Sequence, residues 1–205
     1  MRKLTAAVCL GLALSAIAAP ATWAADPTTQ TIVLLRHGEK PAAGLGQLDC
    51  QGLNRALALP AVLSRRFGRP AAIFAPNPAT KVRDEGGVFD YVRPLATIEP
   101  TAIALGLPVD ASVGFTDVDG LQQRLGEPHL RGALVFVAWE HVRIVTIVRS
   151  LLARHNGDAA AVPEWRDNDF DSIYVVRIAR TGERTSASFE HTHEGLNNQP
   201  RQCPG

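Results

Sequence analysis

The stretch Thr31-Ile32-Val33-Leu34-Leu35-Arg36-His37-Gly38-Glu39-Lys40 decides the fold. Its first five residues form an unbroken β-branched and apolar run, the mark of a strand buried on both faces. Such strands belong to parallel sheets covered by helices on each side, where ligands bind at the carboxyl ends of the strands. At that end the run gives way at once to a cation, an imidazole and a glycine. Arg36, His37 and Gly38 therefore stand where an anion site belongs, and glycine lets the backbone approach a phosphate closely.

Outward from this run, strands and helices alternate. Residues 42–51 are rich in Gly and small side chains and read as a loop. Residues 53–67 carry apolar residues at helical spacing, with Pro60 as an expected kink or break. Residues 71–75 form a second short strand. Residues 76–91, with Pro, Asn, Gly86-Gly87 and several charges, read as a long irregular loop, and loops of that length are often functional. Residues 94–105 read as a helix with Pro at an early position and Gly106 at the stop. A third buried strand spans 133–138, followed by a strong helix over 142–154, closed by Asn156-Gly157. Residues 172–178 form a fourth strand, and Thr181-Gly182 turns it into a hairpin partner over 186–191. The tail from Glu194 reads as irregular. The expectation is a three-layer α/β/α sandwich with a largely parallel central sheet.

The 205 residues suit one domain preceded by a leader. Arg2 and Lys3, the apolar run 4–19, Pro20 and Ala24 have the layout of a cleaved signal peptide over 1–24, leaving a single domain over 25–205. The apolar run is short for a membrane anchor. Cleavage leaves 19 basic and 20 acidic residues, a net charge of −1. A near-neutral chain has no general attraction to nucleic acid or anionic membrane, so phosphate binding must come from a local cluster. Localisation is expected to be periplasmic or secreted. There, Cys50 and Cys203 either form one disulfide tying the tail to the region after the first motif or stay as two free buried thiols. Neither lies in a Cys-x-x-Cys pair, so zinc binding is not expected.

The third strand ends, like the first, on chemistry: Trp139-Glu140-His141. Two histidines at the ends of two buried strands can lie on opposite sides of one phosphoryl group.

These segments together resemble the histidine phosphatase superfamily, which includes phosphoglycerate mutases and acid phosphatases. Leu35-Arg36-His37-Gly38-Glu39-Lys40 is similar to its signature. Leu48 to Ala56 resembles the segment leading into its first helix, and Arg93-Pro94-Leu95-Ala96-Thr97-Ile98-Glu99-Pro100 the region of its second phosphate-binding arginine. His141 falls where the family has its second catalytic histidine. The match spans roughly residues 31–150, and its strength lies in the order of the motifs rather than in Arg-His-Gly alone. The resemblance implies a phosphoglycerate mutase-like fold, with His37 attacking phosphorus to form a phosphohistidine, and Arg36, Arg93 and His141 holding the equatorial oxygens. Planar arginine forks suit such a task, which is mostly positioning and charge stabilisation. It implies no metal and no cofactor, and the sequence shows no ligand set for a metal.

The chain departs from the family at the general acid. Many members use a Glu in a loop after the second arginine or an Asp directly after the second histidine, where this chain has Val142. Glu140 is the candidate, set against a role in orienting its neighbours. Glu39, Glu85 and Asp84 are rivals. Lys40 and Arg83 are candidates for the pocket rim, although Arg83, like Lys81, reads first as a solvated charge. His191 and His193 share one face of a strand, which suits a metal pair in principle but an exposed edge strand better. His129 and His155 show no partner and read as surface residues. Trp139 either floors the pocket or packs the core.

Three functions follow. One is a phosphomonoesterase outside the cytoplasm, acting on a phosphorylated small molecule or a cell-envelope sugar. The second is a phosphomutase, and the third a non-catalytic phosphate-binding module. None calls for nucleic acid or, once the leader is cleaved, a membrane span.

Overall fold

The computed structural model describes residues 27–205. The expected leader over 1–24 lies outside them. A six-stranded sheet runs in the order β5 (Val109–Asp110), β2 (Ala72–Phe74), β6 (Leu134–Trp139), β1 (Thr28–Arg36), β7 (Ser172–Thr181), β8 (Arg184–His193). The pairings from β5 through β2 and β6 to β1 are parallel, and β7 lies antiparallel to both β1 and β8.

Alternation along the central strands sorts their side chains into two cores. Ile32, Leu34, Val135, Val137, Trp139, Tyr174 and Val176 face one side, against α4 (His141–Arg154) and α3 (Val118–Leu125). Val33, Leu35, Phe136, Ala138, Ile173 and Val175 face the other, against α1 (Cys50–Phe67) and α2 (Arg93–Leu105). This is the three-layer α/β/α sandwich that the buried runs predict. Each of these fully buried large side chains contributes roughly 1.5–3 kcal/mol relative to exposure.

Several elements differ from expectation. Pro60 sits inside α1 without ending it. A proline removes one backbone hydrogen bond, and the burial of Leu59, Val62 and Leu63 on either side of it holds the helix against the sheet. The irregular loop over 76–91 contains a two-stranded hairpin, β3 (Lys81–Asp84) and β4 (Gly87–Asp90). Helix α3 and strand β5 were not foreseen, because both are short; α3 starts on an Asp117 cap whose carboxylate accepts from the Gly120 amide. β8 is an edge strand, as expected, and extends to His193. His155 is not without a partner: it is half-buried, with Nδ1 3.1 Å from Oγ1 of Thr185. Cys50 and Cys203 are bonded, across 153 residues of sequence. Among the described residues no helix is long and apolar enough to cross a membrane, and no group of three or more His, Cys, Asp or Glu side chains is placed to hold a metal ion.

Candidate active site

β1 and β6 are parallel neighbours whose register pairs Arg36 with Trp139, so the residues that follow each strand meet at one edge of the sheet. The His37 amide still reaches the Trp139 carbonyl at 3.2 Å, and one residue later the chain turns away on both sides. His37 and His141 thus line one cavity of about 430 Å³, together with Arg36, Arg93, Tyr91 and Glu140. A larger recess of about 600 Å³ lies at the far end of α4, by Gln30 and His155, and contains none of these groups.

His37 is 2 % exposed. Its Nδ1 is 2.7 Å from the Gly38 carbonyl, which can only accept, so Nδ1 carries the proton and Nε2 is left with its lone pair. Burial, then the cation of Arg36, pushes the imidazole well below the usual histidine range. Both effects favour a neutral ring whose free nitrogen is a nucleophile.

Gly38 is required for a reason other than room for phosphate. A side chain there would meet the backbone of Gly52 at 2.9 Å, in the first turn of α1. The Gly38 amide donates to Oγ1 of Thr97, which in turn donates to the Arg93 carbonyl. One threonine thereby couples the His37 loop to the start of α2.

Arg36 is buried beneath the segment that precedes β7. Its Nη1 donates to the carbonyls of Asp167 at 2.6 Å and Asp169 at 3.0 Å, and its guanidinium stacks on Phe170 with 4.1 Å to the ring centroid. Arg93 opens α2, and its fork grips Asp84 from the β3–β4 hairpin at 2.6 and 3.3 Å. Each arginine is held at its tip. Both Nε atoms are buried and have no hydrogen-bond partner.

Glu140 lines the cavity, but its carboxylate caps α4. Its two oxygens accept from the amides of Val142 and Arg143 at 3.0 and 2.9 Å. Burial by itself would raise this carboxyl, yet His141 and the two amides outweigh it and hold it down at about 2. Oε1 lies 2.8 Å from Nδ1 of His141, although off the line of a hydrogen bond. The geometry therefore favours the orienting role that stood beside the acid role.

Of the other carboxylates, Glu39 is turned away. Both its oxygens take hydrogen bonds from Arg55, which is fully buried and also binds Glu194 at 2.6 Å and Asp171 at 3.3 Å. Asp84 is occupied by Arg93, and Glu85 is exposed in the hairpin turn. Lys40 and Arg83 both line the cavity, and Lys40 approaches Asp84 at 3.7 Å. Trp139 packs in the core, with Nε1 donating to the Phe115 carbonyl. Sequence reasoning missed Asp167, Tyr91, Thr97 and Phe170. Asp167 and Phe170 come from a stretch with no periodic signal, while Tyr91 and Thr97 stood two residues before and four after a site arginine.

No family profile and no curated protein matches the sequence. Solved structures do. A provisionally assigned phosphohistidine phosphatase SixA from Nakamurella multipartitia is 17% identical with a TM-score of 0.53, the likeness covering 82% of this chain and 98% of that one. A mycobacterial glucosyl-3-phosphoglycerate phosphatase, solved with inorganic phosphate, is 17% identical with a TM-score of 0.51, covering 78% of this chain and 95% of that one. A structure described as mycobacterial hydrolase 2 is 15% identical with a TM-score of 0.51, covering 79% and 89%. The chain has the phosphoglycerate mutase-like fold of the histidine phosphatases.

Proposed function

We propose that the protein is a phosphoric monoester hydrolase acting through a phosphohistidine on His37. One observation carries this reading. Six buried polar side-chain atoms lack a hydrogen-bond partner among the described residues, and three of them, Nε of Arg36, Nε of Arg93 and the hydroxyl of Tyr91, belong to residues in the wall of the His37 cavity. Buried polar groups are normally satisfied, so unsatisfied donors converging on one cavity are readily explained by a ligand rich in acceptors. A phosphoryl group is such a ligand, and arginine nitrogens match its geometry.

In this reading Nε2 of His37 attacks phosphorus as the bond to the leaving oxygen breaks. Arg36, Arg93 and His141 hold the equatorial oxygens as their charge grows. Water then attacks the phosphohistidine, releasing inorganic phosphate and restoring the imidazole. Glu140 fixes the orientation of His141. Lys40 and Arg83 stand at the mouth, where the rest of a phosphorylated small molecule or cell-envelope sugar would emerge. The leader-like sequence over 1–24 and the Cys50–Cys203 bond support a periplasmic or secreted location.

The test is hydrolysis of an aryl phosphate by the mature protein and by His37→Ala, with acid-quenched samples assayed for acid-labile, base-stable phosphoenzyme. Release by the wild type alone, with labelled His37, is expected. Phosphate binding without release would instead support a non-catalytic binding module, and transfer to a sugar or glycerate acceptor without net release a mutase.

A further inference from the structure

Tyr91 is fully buried, yet it lines the same cavity as His37. Its position is rigidly set. Its amide donates to the carbonyls of Pro78 at 2.9 Å and Thr80 at 3.1 Å, directly after β4. One edge of its ring packs on Phe115 with 4.8 Å between centroids, and the ring stands at 85° to that of His37, 6.0 Å away. The Arg93 guanidinium lies over it at 4.9 Å from the centroid. Nothing in this packing needs a hydroxyl; a phenylalanine would fill the same space. The hydroxyl is nonetheless present and buried, and no acceptor for its proton lies among the described residues; Arg93, whose side chain approaches it, is itself a donor. A buried tyrosine hydroxyl ordinarily finds a partner, and leaving one unmade is costly.

We infer that Tyr91 is a fifth phosphate ligand, whose hydroxyl donates a hydrogen bond to a phosphoryl oxygen held by Arg36 and Arg93. Three features support this donor role. The hydroxyl belongs to the same set of unsatisfied groups as the two arginine Nε atoms. Burial raises its pKa well above the ordinary phenol range, so it keeps its proton throughout the working range and can only donate to a phosphate dianion. Its ring is wedged between Phe115 and Arg93, so it does not have to be ordered when the ligand arrives. The inference rests on the phosphate-binding reading of this cavity.

The experiment is Tyr91→Phe, with Arg93→Ala as a companion. Affinity for inorganic phosphate is measured by calorimetry and thermal melting is followed in phosphate-free buffer. Tyr91→Phe is expected to weaken phosphate binding by roughly tenfold, the scale of one hydrogen bond to a charged group. The melting temperature is expected to stay level or rise, because an unsatisfied hydroxyl has been removed. Two opposite signs are the signature, since a merely structural tyrosine would lose stability and leave affinity alone. If Tyr91→Phe binds phosphate like the wild type while Arg93→Ala does not, the Tyr91 inference fails and the phosphate site stands. A clear fall in melting temperature without phosphate would show that the hydroxyl has a partner in the free protein, and would also overturn it. A wild type that binds no phosphate overturns the site and Tyr91 together.

Discussion

Oδ1 of Asp167 lies 2.8 Å from Nε2 of His141, on the nitrogen that a phosphoryl oxygen would need. The same residue gives its carbonyl to Arg36 at 2.6 Å. The segment before β7 thus touches two phosphate-binding candidates at once, and its carboxylate competes with the ligand for one of them. The Asp167 side chain is 95% exposed, so it can swing into solvent at little cost. Asp167→Asn should therefore bind phosphate about two- to fivefold tighter, the scale of an exposed ion pair, read from competitive inhibition of aryl phosphate hydrolysis. Weaker binding in this variant would show that Asp167 helps to hold the ligand.

Glu140 caps α4 and is held ionised at about 2. Glu140→Gln should cost about 1 kcal/mol of stability through the weakened cap. Turnover should fall by similar factors on activated aryl phosphates and on alkyl phosphates with poor leaving groups, because an orienting group acts on both alike. A loss confined to the poor leaving groups would restore Glu140 as the proton donor.

The His37 ring, lowered by burial and Arg36, should stay neutral well below pH 6.5. Proton resonances of its ring, followed by nuclear magnetic resonance in the ligand-free protein, should titrate on the acid side of 6.5. The linkage has a definite sign. The unfolded chain binds this proton first, so the residue contributes a loss of stability as pH falls below 6.5. A ring that titrates at or above 6.5 would mean that the site does not hold a neutral nucleophile.

Glu194 sits against fully buried Arg55. Burial pushes its carboxyl up to about 8 despite the attraction of Arg55, with Asp171 and Glu39 crowding the same cation. The folded chain therefore keeps a proton that the unfolded chain has released by about pH 4.5. The contribution to stability is complete below that value and is lost as pH rises through 8. Urea unfolding should show a loss on the order of 2 kcal/mol between pH 6 and 9, and Glu194→Gln should remove most of it. An equal loss in both proteins would assign the effect elsewhere.

The Cys50–Cys203 bond closes a loop of 153 residues and ties the exposed tail to the first turn of α1. Asn54 adds hydrogen bonds from its side chain to the carbonyls of Pro200 and Gln202. Reduction should lower stability by roughly 2–5 kcal/mol, measured by denaturant unfolding with and without reductant. No change on reduction would mean that the tail is already independent of α1.

The chain itself determined more of this protein than its low identity to solved structures implies. The buried runs over 31–35 and 133–138 dictate a covered parallel sheet, because side chains on both faces of each strand are apolar and must be enclosed. Since parallel strands end at the same edge, the residues after each run, His37 and Glu140-His141, had to come together there. Local chemistry was readable for the same reason: the signal is contiguous or periodic. The hairpin β3–β4, the Asp167 segment and Tyr91 were not readable, because what they do depends on partners in other elements of the fold. Asp84 gains its meaning only from Arg93, and Asp167 only from His141 and from Arg36, 131 residues before it. Glu140 is the clearest case. From sequence it was a carboxylate beside a histidine, fit to give a proton or to orient its neighbours; tertiary structure turned both its oxygens onto helix amides. Proximity is written along the chain, but the direction a side chain faces and whether its hydrogen bonds are already spent are decided only when the layers pack.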